Sequence, residues 1–233
     1  MNIPQHIVLF PDGNGRWAKK EGLPWLSGYK KGYENLINFG EWCRGRGVKV
    51  LTVFGFSTEN WGRSKKLVDY LMRLFENKLI INIEKYMKSK EWQKLGVRVR
   101  IIGQRERLPK SLQKAIEKAE EITKNNKDMF LNLAISYGGK WDILNAVKKI
   151  VEDNIPANKI NEKLFESYLS TAGLPDPDLI IRAGGEMRMS NFVLWQAAYS
   201  ELYFCPKLWP DFTEQDLDIA LAEFDKRSRR FGK

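Results

Sequence analysis

Apolar residues in this chain fall into short unbroken runs, separated by stretches where they recur every three or four positions. Ile7, Val8, Leu9 and Phe10 make the first run, and a run this short with polar flanks predicts a buried strand. Residues 28–46 predict a helix with Tyr33, Leu36, Ile37, Gly40 and Cys43 on one face, ended by Gly47. A second strand is expected over 48–56. Ser64 then caps a long helix reaching about residue 88, with an apolar stripe of Leu67, Leu71, Leu74, Phe75, Leu79 and Ile83. Four more strands are expected at 97–102, 129–135, 178–182 and 201–204. Between them come a very polar helix with few buried positions over 109–126, a helix ending near residue 153, another over 161–170, a short one after residue 191, and a last amphipathic helix capped by Thr213. Helices alternating with continuously apolar strands imply an α/β fold. We expect a single domain over 1–233, with a central, mostly parallel six-stranded sheet flanked by helices.

Ligands of such sheets bind beyond the carboxyl ends of the strands. The polar, glycine-rich stretches fall there: Asp12-Gly13-Asn14-Gly15-Arg16, then 59–63, 136–140 and 182–191. Loops from four strands are therefore expected to gather on one rim. Gly13 and Gly15 let backbone N–H groups face a ligand closely. Arg16, Arg63, Arg182 and Arg188 offer forked guanidinium groups to phosphate, while Asn60 and Ser190 add neutral hydrogen-bonding groups.

Asp12 sits awkwardly in such a place. A carboxylate 4 Å from a phosphate charge is repelled by roughly 4 kcal/mol at an effective dielectric of 20. Either it holds Mg²⁺, which takes one or two carboxylates plus phosphate oxygens, or it points away as a helix N-cap. Glu201, opening an otherwise apolar strand, is either a second metal ligand or a partner for an arginine. His6 reads as structural. The run Gly13-Asn14-Gly15-Arg16-Trp17-Ala18 also satisfies a dinucleotide-binding pattern. Against that, Asp12 would face the pyrophosphate, and the acidic residue expected after the second strand is missing until Glu59.

A net charge of +10 points to an anionic partner. The basic residues are spread along the chain with no nucleic-acid-binding motif, so nucleic acid is not expected. Two cysteines with no metal spacing to the single histidine suggest a reducing compartment. No run approaches membrane-spanning length and no signal-peptide core opens the chain, so a cytoplasmic location is expected.

Taken together these residues resemble the cis-prenyltransferases, the undecaprenyl diphosphate synthase-like family. The likeness covers nearly the whole chain. It is carried by Asp12-Gly13-Asn14-Gly15-Arg16-Trp17-Ala18, by Phe56-Ser57-Thr58-Glu59-Asn60-Trp61 with Arg63, and by the stretch 132–141. Further blocks are Ile181-Arg182-Ala183-Gly184-Gly185-Glu186 with Arg188 and Ser190-Asn191-Phe192, and Trp195-Gln196 through Glu201-Leu202-Tyr203-Phe204.

The resemblance implies a homodimer with a hydrophobic tunnel for a growing chain. The implied reaction is Mg²⁺-dependent condensation of isopentenyl diphosphate onto an allylic diphosphate, giving Z double bonds. Asp12 would handle Mg²⁺ and the allylic diphosphate, which Gly13, Asn14, Gly15, Arg16 and Trp17 would cradle. Arg182, Arg188 and Ser190 would hold isopentenyl diphosphate, with Glu201 as the second metal carboxylate. Asn60 would be catalytic with Asp12, and Ser57, Glu59, Trp61 and Arg63 would bind substrate, with Asn60 and Arg63 near the reacting centre. Arg230 and Gly232 match a C-terminal R-x-G thought to reach the partner subunit's diphosphates. Peripheral contact with a membrane would serve product release.

One departure stands out. Where the family usually carries R-x-x-G-H, this chain has Trp25-Leu26-Ser27-Gly28-Tyr29. The missing arginine normally grips the allylic diphosphate, so an altered allylic partner or a non-standard acceptor is the alternative reading. A non-catalytic partner subunit is a third reading. Such members tend to lose the Asp12-type residue and the arginine-rich blocks, both of which are present here.

Overall fold

The computed structural model describes residues 2–227, so Arg230 and Gly232 lie outside the described residues. In chain order the main elements are β1 (His6–Phe10), α1 (Asn14–Lys20), α2 (Trp25–Gly45), β2 (Val50–Ser57) and α3 (Lys65–Lys88). There follow α4 (Lys90–Lys94), β3 (Val97–Ile102), α5 (Lys110–Thr123), β4 (Met129–Tyr137) and α6 (Gly139–Glu152). The chain ends with α7 (Glu162–Tyr168), β5 (Leu179–Arg182), β6 (Glu201–Phe204) and α8 (Glu214–Lys226).

The expected α/β architecture is present. Six strands form one sheet in the order β3-β4-β2-β1-β5-β6. The registers run parallel, with Leu9 beside Val53 and Phe10 beside Arg182. All of β1 and β5 is buried, which is why these strands read as unbroken apolar runs rather than alternating ones.

Two compact units divide the chain. Among the described residues, the first comprises those of 2–55, 175–189 and 196–227, and the second 56–174 and 190–195. In the first, α2 lies against α1 at backbone distance. A Cβ on Gly28 would meet the Asn14 carbonyl oxygen at 1.9 Å, and one on Gly32 the Asn14 Oδ1 at 2.0 Å. Phe39, Trp209 and Phe212 pack edge-on or tilted below, with ring centroids 5.5–5.8 Å apart. The Trp209 indole donates to the Gly32 carbonyl at 2.8 Å. In the second unit, Asp142 accepts from Tyr137 Oη at 2.9 Å and from the Ser170 N–H at 2.9 Å, tying β4 to the segment after α7.

Three local expectations change. The helix α5 is not poor in buried positions: Leu112, Ala115, Ile116, Ala119 and Thr123 all face inward. They recur every three or four residues, so a narrow stripe suffices among many charges. No helix lies between residue 191 and β6. Ser190, Asn191 and Val193 take φ of 45°, 61° and 41°, a left-handed conformation that does not propagate for L-residues, and turns and bends run to Tyr199. Asp12 is not the cap of α1; that place belongs to Gly13, at φ 99°.

His6 is structural, as expected. It is buried, with one ring nitrogen 2.7 Å from the Pro175 carbonyl oxygen and the other 2.8 Å from Thr52 Oγ1. The Cys43 thiol is fully buried, and burial pushes its pKa far above the ordinary thiol value, which suits packing and not chemistry.

Candidate functional site

In the first unit, β1 and β5 lie in register and deliver their following residues side by side. Arg182, the last residue of β5, is 4% exposed. Its Nη2 donates to Asp12 Oδ2 at 2.9 Å, its Nη1 reaches the Arg188 carbonyl, and its guanidinium stacks 5.0 Å from the Phe10 ring. Arg16 approaches the other Asp12 oxygen at 3.4 Å, and Glu186 Oε1 at the same distance. Arg188 is also paired with Glu186. Asp12, Arg16, Arg182, Glu186 and Arg188 thus form one alternating cluster of charge.

Glycines make that cluster geometrically possible. A Cβ on Gly13 would meet Leu208 Cδ2 at 2.7 Å, and one on Gly184, at φ 91°, would meet Arg16 Nη2 at 2.8 Å. The first backbone N–H groups of a helix have no intrahelical acceptor; in α1 the series begins at the Trp17 N–H, bonded to the Gly13 carbonyl at 2.8 Å. Asn14 braces the loop from beneath. Its Nδ2 donates to the Pro11 carbonyl at 2.9 Å, and its Oδ1 is buried beside Gly32. The Trp17 indole N–H is committed to Asp211 Oδ1 at 2.7 Å.

Glu201 lies elsewhere in this unit. It opens β6 in register with Leu179, which pairs with Ile7, so it sits at the amino ends of the strands. Phe10, the last residue of β1, lies three residues further along that direction, about 10 Å at the rise of a strand, and Asp12 lies beyond it. Glu201 Oε2 accepts from Arg227 at 2.9 Å. Within one chain, Glu201 and Asp12 therefore stand toward opposite ends of the strands.

In the second unit, the end of β2 passes into a 3-10 turn, Thr58–Gly62. Ser57 and Asn60 close a reciprocal capping box, the Asn60 side-chain oxygen accepting the Ser57 N–H at 3.2 Å. Asn191 joins three segments. Its Nδ2 donates to Glu59 Oε1 at 2.7 Å, its Oδ1 accepts the Lys140 N–H at 2.9 Å, and its carbonyl accepts the Gly139 N–H at 2.6 Å. Burial pushes the Glu59 carboxyl up, yet bonds from Asn191, its own backbone, Ser57 and Thr58 outweigh this and hold it below the ordinary value. A depressed carboxyl pKa stabilises the fold above the unfolded-state value, and that contribution fades as pH falls through the folded one. The turn is therefore expected to loosen in acid, checked by amide exchange over 57–63 at pH 7 and pH 3. Arg63 and Ser190 are exposed.

Sequence reasoning singled out neither Glu186 nor Asn191 as a site residue. The signal for Glu186 was a carboxylate two residues from one arginine and four from another. For Asn191 it was an asparagine in a glycine-poor turn.

A parallel sheet with paired guanidinium groups and glycine turns where β1 and β5 end defines an α/β protein with an anion-receptive rim. The model of the prenyltransferase family described as undecaprenyl diphosphate synthase matches residues 10–232. An isoprenyl transferase of Thermotoga maritima is 49% identical over 234 residues, covering 100% of this chain and 98% of that one. A Legionella pneumophila ditrans,polycis-undecaprenyl-diphosphate synthase, described as (2E,6E)-farnesyl-diphosphate specific, is 43% identical over 99% of this chain and 96% of that one. The solved lavandulyl diphosphate synthase of Lavandula x intermedia, in complex with dimethylallyl diphosphate, superposes with a TM-score of 0.92 at 40% identity, covering 99% of each chain. The chain belongs to the cis-prenyltransferase family and is a prenyltransferase. Among the described residues no helix is long and apolar enough to cross a membrane.

Proposed function

We propose that this chain joins isopentenyl diphosphate to an allylic diphosphate in a Mg²⁺-dependent condensation, yielding a polyprenyl diphosphate with Z double bonds. The observation that carries the reading is Asp12 held at the end of β1 by Arg182 and Arg16. A carboxylate amid guanidinium groups at an anion-receptive rim suits a ligand that brings both anionic oxygens and a dication.

The donor set fits Mg²⁺ in one particular way. Among the described residues no group of three His, Cys, Asp or Glu side chains could hold a metal. Asp12, about one-third exposed, would supply a single carboxylate. That matches the habit of Mg²⁺ of keeping waters and taking diphosphate oxygens for its remaining places. When bound, the ion would offset the charge that develops on a departing diphosphate.

This chain's own groups do the rest. Backbone N–H groups at Gly15 and Arg16, with the Arg16 guanidinium, hold the allylic diphosphate. Arg182, Arg188 and Ser190 orient isopentenyl diphosphate. Donors fixed in advance at the leaving oxygens stabilise them without reorganisation. Asn60, with Ser57, Glu59, Trp61 and Arg63, orients the reacting ends. The apolar stripe of α3 shelters the carbocation from water. The active species is a homodimer, in which Arg230 and Gly232 serve the partner subunit's site. Peripheral membrane contact serves product release.

Purified protein with radiolabelled isopentenyl diphosphate, a C15 allylic diphosphate and Mg²⁺ tests the reading directly. Incorporation that stops on adding a chelator is the expected result. No incorporation with any allylic primer would refute it and return the chain to a non-catalytic role.

A second reading rests on Trp25 and Tyr29. They meet edge-on at 5.9 Å in the first turns of α2, on the same side as Gly28, which abuts Asn14. An apolar pair stands where the family usually places two cationic or ionisable groups, which favours an allylic partner or acceptor presenting less charge. Trp25→Arg is expected to lower the Michaelis constant for the allylic diphosphate, by about three- to tenfold if one charge-assisted bond is gained. An unchanged or higher constant would count against a weakened grip.

A further inference from the structure

The loop after β3, residues 103–107, carries none of the residues assigned above, yet it is built tightly against the turn that does. Gly103 takes φ 125°, and a Cβ there would meet the Ile135 carbonyl oxygen at 2.2 Å and that of Ser136 at 2.9 Å. The Gln104 N–H donates to the Ser136 carbonyl at 2.9 Å. Arg105 is clamped to Glu120, which also accepts the Ile101 N–H at 2.8 Å, so the base of the loop is fixed.

Ser136 is fully buried and held at φ 56°. A non-glycine residue in that region is strained, and persists only where its surroundings over-determine it. Here they do. Ser136 Oγ accepts the Trp61 indole N–H at 2.8 Å and donates to Gln104 Oε1 at 3.0 Å. Gln104 Oε1 also accepts from Arg107 Nη1 at 3.1 Å. Arg107 closes the circuit by lying over the Trp61 ring, 4.8 Å from its centroid. Phe56 meets the same indole edge-on at 5.1 Å.

From this circuit we infer that Arg107 is a positioning residue: with Gln104 and Ser136 it fixes the Trp61 indole, and through it the Thr58–Gly62 turn that carries Asn60. Arg107 is exposed, so its cation–π contact adds little to folding. Its effect falls on geometry. Displacement of a reacting group by about 1 Å costs on the order of a hundredfold in rate.

The inference deepens the proposed reaction and rests on it for the kinetic readout alone. In full-length enzyme, Arg107→Ala is expected to lower kcat by about 10- to 100-fold. Both Michaelis constants should stay within about threefold, with the melting temperature nearly unchanged because the contact is weak. Arg107→Lys keeps a cation over the ring and is expected to restore kcat to within about threefold.

A second readout needs no substrate. The Trp61 indole N–H signal, assigned through Trp61→Phe in ¹⁵N-tryptophan-labelled protein, should exchange with solvent about tenfold faster in Arg107→Ala, and at the wild-type rate in Arg107→Lys. Wild-type kcat, or an unmoved indole exchange rate in Arg107→Ala, overturns the inference. Failure of the wild type to turn over refutes the proposed reaction instead, and leaves the exchange measurement to decide the role of Arg107.

Discussion

Asp12→Ala is expected to lose roughly a thousandfold or more in turnover while remaining folded. The magnitude follows from removing the carboxylate proposed to receive the dication, where charge stabilisation would account for several kcal/mol of the barrier. Folding should suffer far less. Asp12 is about one-third exposed, and Arg182 keeps its contacts with the Arg188 carbonyl and the Phe10 ring. A stability loss of about 1–2 kcal/mol, the scale of one charge-assisted hydrogen bond, is expected in urea titration. Asp12→Asn sharpens the test. It keeps an acceptor for Arg182 but loses the charge, so it should fold as wild type and be nearly as inactive as the alanine variant. A folded Asp12→Ala protein working at the wild-type rate would remove this residue from the chemistry.

The second large effect is on packing. Gly28→Ala puts a methyl 1.9 Å from the Asn14 carbonyl oxygen and 3.3 Å from the Ala18 Cβ. The obstacle is backbone, so α2 must move off α1, at about 1–3 kcal/mol for forced overpacking. The displaced stretch includes Gly13 and Asn14, so the Michaelis constant for the allylic diphosphate should rise as stability falls. Gly40 supplies the control in the same helix, because nothing lies within 4 Å of its absent Cβ. Gly40→Ala should stabilise by about 0.5–1 kcal/mol through helix propensity alone. If the two alanines shift the urea midpoint in the same direction, the close approach of α1 and α2 is wrong.

Much of this was legible in the chain. β1 and β5 were visible because a strand buried on both faces is mostly apolar, and the bounds of β3 and β6 also fall where expected. Loops from four strands were expected to gather at the carboxyl ends; the two after β1 and β5 do meet, in Asp12, Arg16 and Arg182. Other features needed three dimensions. Whether Asp12 capped a helix or faced cations depended on Gly13 adopting a positive φ, which composition permits but does not require. The approach of α1 and α2 was announced by Gly28 and Gly32, four apart and on one face, but what they pack against is invisible in a one-dimensional pattern. Glu201 is instructive in the other direction. A residue that opens a parallel strand stands at the end opposite the rim, so strand direction alone separates it from Asp12 within one chain. The turns after Ser190 defeated propensity because three non-glycine residues accept left-handed backbone there.

Asp12 and Arg182 leave adjacent strands whose last paired residues are Phe10 and Arg182. Their span is therefore gauged by the ladder itself, about 4.8 Å from strand to strand, and not by the slack of a surface loop. Arg188 and Glu186 hang from irregular backbone beyond β5. On warming, those two should drift first, while the carboxylate and the inner guanidinium keep their calibration until the central strands part.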